Sequence, residues 1–183
     1  MSRLKSPEPS KLVISLIVKN KSLVDKIAKI LISTFGEIDI VSPWLTFDYT
    51  TYYEKEMGRP LFRRMLAFKK LTHQDILPEI KVKTDKLEQE FSSNGKRKIN
   101  IDPGYLLRER FVLATGKNFA HRIYIGQGVY ADLTLIYKDG RYHKLAWTYP
   151  DYADEKILTF LYRLRKKYTI DLKNLSDSTT SNV

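Results

Sequence analysis

The spacing of apolar residues changes several times along the chain, and each change predicts an element. Lys11 to Val18 reads KLVISLIV, β-branched and nearly continuous in apolar character. It predicts a strand buried on both faces. Ser22-x-x-Asp25 then reads as a helix-capping signature. Leu23, Ile27, Ile30, Leu31 and Thr34 follow at helical spacing, and Gly36 supplies the stop. Ile38 to Phe47 predicts a second strand, with Pro43 marking an edge or a bulge. Arg63 to Leu71 predicts a third. Gln74 to Ser93 predicts a helix with Ile76, Ile80, Leu87 and Phe91 inward, Pro78 in its first turn and Asn94-Gly95 as terminator. Lys98 to Ile101 predicts a short fourth strand ending at a turn, Asp102-Pro103-Gly104.

That order, βαββαβ, is the ferredoxin-like split-βαβ pattern. A more antiparallel part follows. Arg110 to Thr115 is strand-like. His121 to Ile125 and Val129 to Tyr137 flank Gly126-Gln127-Gly128 as a hairpin. Asp139-Gly140 marks a tight turn into Tyr142 to Trp147. Asp151 or Asp154 caps a last helix to about Tyr168, with Ile157, Leu161, Leu164 and Tyr168 as its buried stripe. The expected fold class is α+β: a ferredoxin-like βαββαβ core, an antiparallel hairpin region and a C-terminal helix. One domain is expected over 11–170, between flexible ends at 1–10 and 171–183.

The hairpin register follows from a three-residue loop at 126–128. Ile125 then opposes Val129, Tyr124 opposes Tyr130, Ile123 opposes Ala131 and Arg122 opposes Asp132. Alternation gives one face to Ile123, Ile125, Val129, Ala131, Leu133 and Leu135, which predicts core. The other face carries Arg122, Tyr124, Tyr130, Asp132 and Thr134. Either it is solvated, with cross-strand pairs, or it is a binding surface with Arg122 as an anion clamp.

Composition narrows the function classes. The 183 residues suit one domain, and 43% are hydrophobic, enough for a sizeable core. With no cysteine, disulfides, cysteine–zinc sites and thiol chemistry are excluded. The same absence fits a reducing compartment, so a cytoplasmic location is expected. Met1 to Ser10 has no apolar core and is not read as a signal peptide. Leu12 to Val18 is too short to span a membrane, so no membrane partner is expected. The formal net charge of +11 favours encounters with anions, nucleotides and nucleic acid.

Four segments resemble signatures of an uncharacterised bacterial family of about this length, a domain of unknown function. They are Asp48 to Gly58 (DYTTYYEKEMG), Asn100 to Leu106 (NIDPGYL), His121 to Gly126 (HRIYIG) and Trp147 to Tyr152 (WTYPDY). The resemblance spans about Lys11 to Tyr168 and implies no established activity. Some members are labelled automatically as GTP-binding proteins. The residues here do not support that label. Neither Gly95-Lys96 nor Gly116-Lys117 sits in a G-x-x-x-x-G-K-[S/T] loop. Asp132 stands where the family pattern leads one to expect glutamate, and Ala153 where it leads one to expect arginine.

These segments concentrate Tyr, Asp, Glu, His and Arg beside Gly or Pro turns, where function tends to sit. Candidate acid–base residues are His121, Asp102 and Asp151. Candidate ligand-binding residues are Arg122, Lys117, Tyr52, Tyr53, Tyr105, Tyr124, Tyr130, Asp132 and Tyr152. Each has a plainer reading. Asp102 reads as a turn residue and Asp151 as a helix cap. Tyr52 and Tyr53 read as packing aromatics, Glu54 and Glu56 as solvated, and His121 as a structural histidine facing the core opposite Leu133. No histidine spacing suits a transition metal, and Mg²⁺ would require Asp102, Asp132 or Asp151 to converge.

The favoured expectation is a small anionic or phosphorylated ligand, such as a nucleotide. One alternative is RNA, held by Arg163, Arg165, Lys166 and Lys167, although no RNP1 run is present. The other is a non-catalytic interaction subunit.

Overall fold

Helices cover both faces of a single antiparallel sheet in the computed structural model, which describes residues 3–180. The strands are β1 (Ser10–Val18), β2 (Ile38–Val41), β3 (Leu45–Thr46), β4 (Phe62–Thr72), β5 (Ile99–Leu106), β6 (Arg110–Thr115), β7 (Arg122–Gly126), β8 (Val129–Lys138) and β9 (Arg141–Lys144). The helices are α1 (Leu23–Phe35), a single turn α2 (Glu54–Met57), α3 (Leu77–Glu90) and α4 (Glu155–Thr180). Strand order is β2-β4-β1-β5-β6-β8-β7, with β3 also on β4 and β9 on β8. The fold is α+β, with a large antiparallel sheet and a C-terminal helix. Among the described residues no helix is long and apolar enough to cross a membrane.

β1 explains the layering. All nine of its residues are buried, as its unbroken apolar run requires. Leu12, Ile14, Leu16 and Val18 pack beneath α1 and α3 with Val24, Ile27, Leu31, Ile80 and Leu87. On the other face Val13 packs with Met65, Ala67 and the α4 stripe Ile157, Leu161, Leu164 and Tyr168. Ile17, at the far end of that face, meets Phe47, Met57 and Leu61. Between these two clusters lies a polar strip, and the cleft described below opens there.

The structure alters several local expectations. Ser22 does not cap α1 through its side chain. Asn20 does the work instead: its Oδ1 accepts from the Ser22 amide and hydroxyl at 3.1 and 2.8 Å. The predicted second strand breaks at Ser42-Pro43 into β2 and β3.

Asp102-Pro103-Gly104 is not a turn but the middle of β5, opposite Ser15, Ile14 and Val13. The Ile101 amide and carbonyl point away from β1, toward Glu88 and Lys81. By alternation the missing N–H of Pro103 falls on that same side, where pairing with β6 starts only at Gly104. Gly104 is needed for close approach: a Cβ there would stand 2.4 Å from the Val112 carbonyl oxygen.

In the hairpin, Arg122↔Asp132, Ile123↔Ala131 and Tyr124↔Tyr130 pair as expected. A bulge then sets Gly126, not Ile125, opposite Val129. Gln127 and Gly128 form the turn with φ of 53° and 75°, the left-handed pair that a two-residue hairpin loop uses. The expected inside and outside are partly exchanged. Asp132 and Thr134 are buried, whereas Ile123 is 71% exposed. The Thr148 hydroxyl bonds to the Thr134 carbonyl oxygen and Tyr149 to Arg122, so the segment entering α4 covers the supposedly solvated face. A bulge where β8 meets β6 also moves Leu135 into the α4 cluster.

α4 is capped by Asp154, whose Oδ1 accepts from the Lys156 amide at 2.8 Å. It continues past Tyr168 to Thr180. Asp171 and fully buried Lys11 are 2.6 Å apart, Lys11 also bonding Asp39 at 2.6 Å, so the helix is tied to β1 and β2 within the expected tail. Of the expected flexible ends, residues 1–2 and 181–183 lie outside the described residues.

Candidate functional site

Across the sheet face that α4 only half covers, side chains two residues apart point the same way. On this face β4 contributes Arg63, β1 contributes Ser15, and β5 contributes Asn100 and Asp102. Register fixes their neighbourhood: Ser15 lies opposite Asp102, and Ile17 lies between Arg63 and Asn100. Arg63, Asn100 and Asp102 floor a cleft of about 600 Å³. The loop before α2 walls it with Phe47, Tyr52 and Tyr53. α3 contributes Lys81, Asp85 and Glu88, and the segment after β6 contributes Thr115, Gly116 and Lys117. Arg122 and Asp132 come from the hairpin, and Tyr149, Asp151 and Tyr152 from the segment before α4. All four signature segments therefore reach one cavity.

A chain of ion pairs holds the cleft open. Arg97 donates Nε and Nη2 to the two oxygens of Glu56, each at 2.8 Å, and Nη1 to Glu88 and Asn100 at 3.0 and 3.1 Å. This ties the tyrosine loop to α3 and β5. Glu56, expected to be solvated, is thus a brace. Its carboxyl is held below the usual range, chiefly by the Arg97 hydrogen bond. Glu88 accepts from Arg97 and from the Ile101 amide. Burial nevertheless pushes its pKa up. Lys81 bonds Asp85 at 2.8 Å and the Ile101 carbonyl oxygen at 3.3 Å. Burial opposes its charge, but Asp102, Asp85 and Glu88 outweigh that and raise its pKa.

Arg63 is the most deeply buried of the cations that line the cleft, 2% exposed. Nη2 donates to Asp151, and the guanidinium lies 4.9 Å from the Phe47 ring centroid and 4.5 Å from that of Tyr152. Among the described residues its Nε and Nη1 have no hydrogen-bond partner. Burial, helped by Asp102, pushes the Tyr53 and Tyr152 hydroxyls far above the ordinary tyrosine range, so neither is a phenolate near neutrality.

Eight of the twelve expected site residues line the cleft: Asp102, Asp151, Arg122, Lys117, Tyr52, Tyr53, Asp132 and Tyr152. Their roles shift. Asp151 is not a cap; it neutralises Arg63. Arg122 is engaged at each nitrogen, by Asp132 at 2.9 Å, the Lys117 carbonyl oxygen at 3.0 Å and the Tyr149 hydroxyl at 3.1 Å. It reads as a brace rather than an anion clamp. Lys117 is exposed at the mouth, over the Tyr52 ring and 3.3 Å from its hydroxyl.

Four candidates lie away from the cleft. Tyr124 and Tyr130 pair edge-on at 5.4 Å at the hairpin tip, and Tyr105 packs against the core clusters. His121 is stacked on Trp147, 4.9 Å between ring centroids, with Nε2 3.3 Å from Asp132 Oδ2. It touches the site only through Asp132.

Arg63, Lys81, Glu88, Arg97 and Asn100 were not proposed as site residues from sequence. A signal for Arg63 existed: it alternates with Met65 and Ala67 along one strand face. Among the described residues, no group of three or more His, Asp or Glu side chains is arranged to hold a metal ion. Asp102, Asp132 and Asp151 share the cleft without forming such a cluster.

A family model for a domain of unknown function, DUF4416, matches residues 8–168. No curated protein and no solved structure matches the chain.

Proposed function

The chain belongs to the DUF4416 family, and we propose that it binds a small anionic or phosphorylated ligand, such as a nucleotide, in the cleft floored by Arg63 and Asp102. The observation that carries this reading is the guanidinium of Arg63, buried with two of its nitrogens lacking acceptors. Leaving a buried donor unpaired costs on the order of 1–3 kcal/mol, and more when it is charged. Folds keep such groups where something else supplies the acceptor. A ligand oxygen does so here, and exposed Lys117 offers a second cation at the entrance. The cavity is of the size and mixed aromatic–polar character usual for small-molecule sites.

The RNA alternative draws less support. Arg165 bonds the Arg108 carbonyl oxygen and stacks on Tyr137, Lys166 lies over Tyr162, and Lys167 pairs with Asp171 and Asp39. α1 and α3 cover one face of the core strands and α4 packs on part of the other, which leaves less open sheet there for stacked bases.

The finer fold assignment belongs to the same proposal. The order β5-β1-β4-β2, antiparallel throughout, with α1 and α3 on one face, supports a ferredoxin-like core. The strands β6 to β9 would extend it and carry the far wall of the cleft.

Thermal melting tests the binding reading. Pyrophosphate or a nucleoside triphosphate should raise the melting temperature saturably, beyond a chloride control of equal ionic strength. Lys117→Ala should weaken that response. No rise with any of these anions overturns the proposal.

A further inference from the structure

The ion pairs of the cleft leave two further groups over, besides the two open nitrogens of Arg63. Arg97 is spent on Glu56 and Glu88, Arg122 on Asp132, Lys81 on Asp85 and one nitrogen of Arg63 on Asp151. The Lys117 ammonium, at the mouth, meets Tyr52 and forms no ion pair among the described residues. Asp102, on the floor, forms no ion pair among the described residues. Among the described residues its one hydrogen-bond donor is Asn100, whose Nδ2 lies 2.6 Å from Oδ2. The second carboxylate oxygen of Asp102 is left for whatever enters.

That oxygen is held in place. Arg97 has only donors, so the atom of Asn100 that faces it must be the acceptor Oδ1. The amide nitrogen is thereby turned toward Asp102. Arg97 is itself fixed by Glu56 and Glu88. The relay from Glu56 through Arg97 and Asn100 therefore orients one carboxylate whose charge is balanced only at longer range, by Lys81 and Arg63.

Resting on the anionic-ligand reading above, we infer that the ligand is bipolar: an anionic group at Lys117 and an N–H-donating head, on a flat ring, at Asp102. A carboxylate on the floor repels a second anion, so it selects against a ligand that is anionic throughout. It rewards an amine or ring N–H, which forms a charge-assisted hydrogen bond. The rings of Phe47, Tyr53 and Tyr152 flank the path between the two ends and suit a flat, unsaturated head. Asp102 is then the specificity-determining residue and Lys117 the affinity residue.

Isothermal titration of the full chain separates these roles. The probes are adenosine and cytidine 5′-monophosphates, which carry both ends. Ribose 5-phosphate carries the anion alone, and adenosine and cytidine carry the head alone. At least one monophosphate should bind roughly tenfold or more tighter than ribose 5-phosphate. Asp102→Asn should erase that ratio while leaving ribose 5-phosphate binding equal or tighter. Lys117→Ala should bring the monophosphate down to the level of its nucleoside. The ratio is taken between two ligands on the same protein, so a general loss of stability does not imitate it. If ribose 5-phosphate binds as well as the monophosphates and Asp102→Asn tightens every anion, the bipolar inference fails and the anionic reading stands. If no probe binds at all, both fail.

Discussion

Arg97 grips Glu56 through two parallel N–H···O bonds, Nε to Oε1 and Nη2 to Oε2, both 2.8 Å. The residues are 41 positions apart, and the Arg97 amide adds a third bond at 3.0 Å. This fork fastens the tyrosine loop over the cleft. Its side chains are 27% exposed, so solvent screens part of the gain.

Glu56→Gln should cost about 1–2 kcal/mol, because one arm of the fork and its charge are lost. The pH dependence has a definite sign. The folded-state pKa of Glu56 is depressed by Arg97. Its contribution is therefore fully present above the unfolded value of about 4.3 and fades as pH falls through the lower folded value. Denaturant unfolding at pH 7 and in acid should find wild type and Glu56→Gln converging as pH drops. A gap that stays constant would contradict this.

Gly104→Ala places a methyl group 2.4 Å from the Val112 carbonyl oxygen and 3.0 Å from Leu113 Cδ2. Both belong to β6, whose backbone is locked into the sheet, so the strands must part. We expect a loss of roughly 2–4 kcal/mol, measured by urea unfolding. A change under about 0.5 kcal/mol, the size of an ordinary surface substitution, would show that β5 and β6 are not this close.

Asp151 and Asp154 are three residues apart and serve different ends. Asp154→Ala removes a helix cap and should cost about 1 kcal/mol. Asp151→Ala strips the buried guanidinium of Arg63 of its carboxylate and should cost roughly 3–5 kcal/mol. Equal costs in chemical denaturation would mean that Asp151 is only another cap.

The elements were largely legible because their apolar periods are strong. β1 reads as doubly buried and is so; the Ile157, Leu161, Leu164 and Tyr168 stripe lies in the core. Misreadings arose where one local pattern has two physical explanations. Asp-Pro-Gly signals a turn, but a proline just before pairing with the next strand begins and a glycine beneath a neighbouring carbonyl need the same residues. The hairpin alternation gave the right partners over three pairs but not the right interior, because a polar face becomes buried when another segment crosses it. Arg63, Arg97 and Glu88 looked like ordinary charges in basic runs or on a helix. Their function comes from partners 9 to 88 residues away, which no local pattern records.

Mapping phosphate on the protein's backbone amides tests the central claim most directly. Titrating pyrophosphate into ¹⁵N-labelled protein should shift the amides of Thr115, Gly116 and Lys117 at the mouth of the cleft. The α4 amides around Arg163 to Lys167 should stay still. Saturable shifts confined to α4, or none at Thr115–Lys117, would contradict the account.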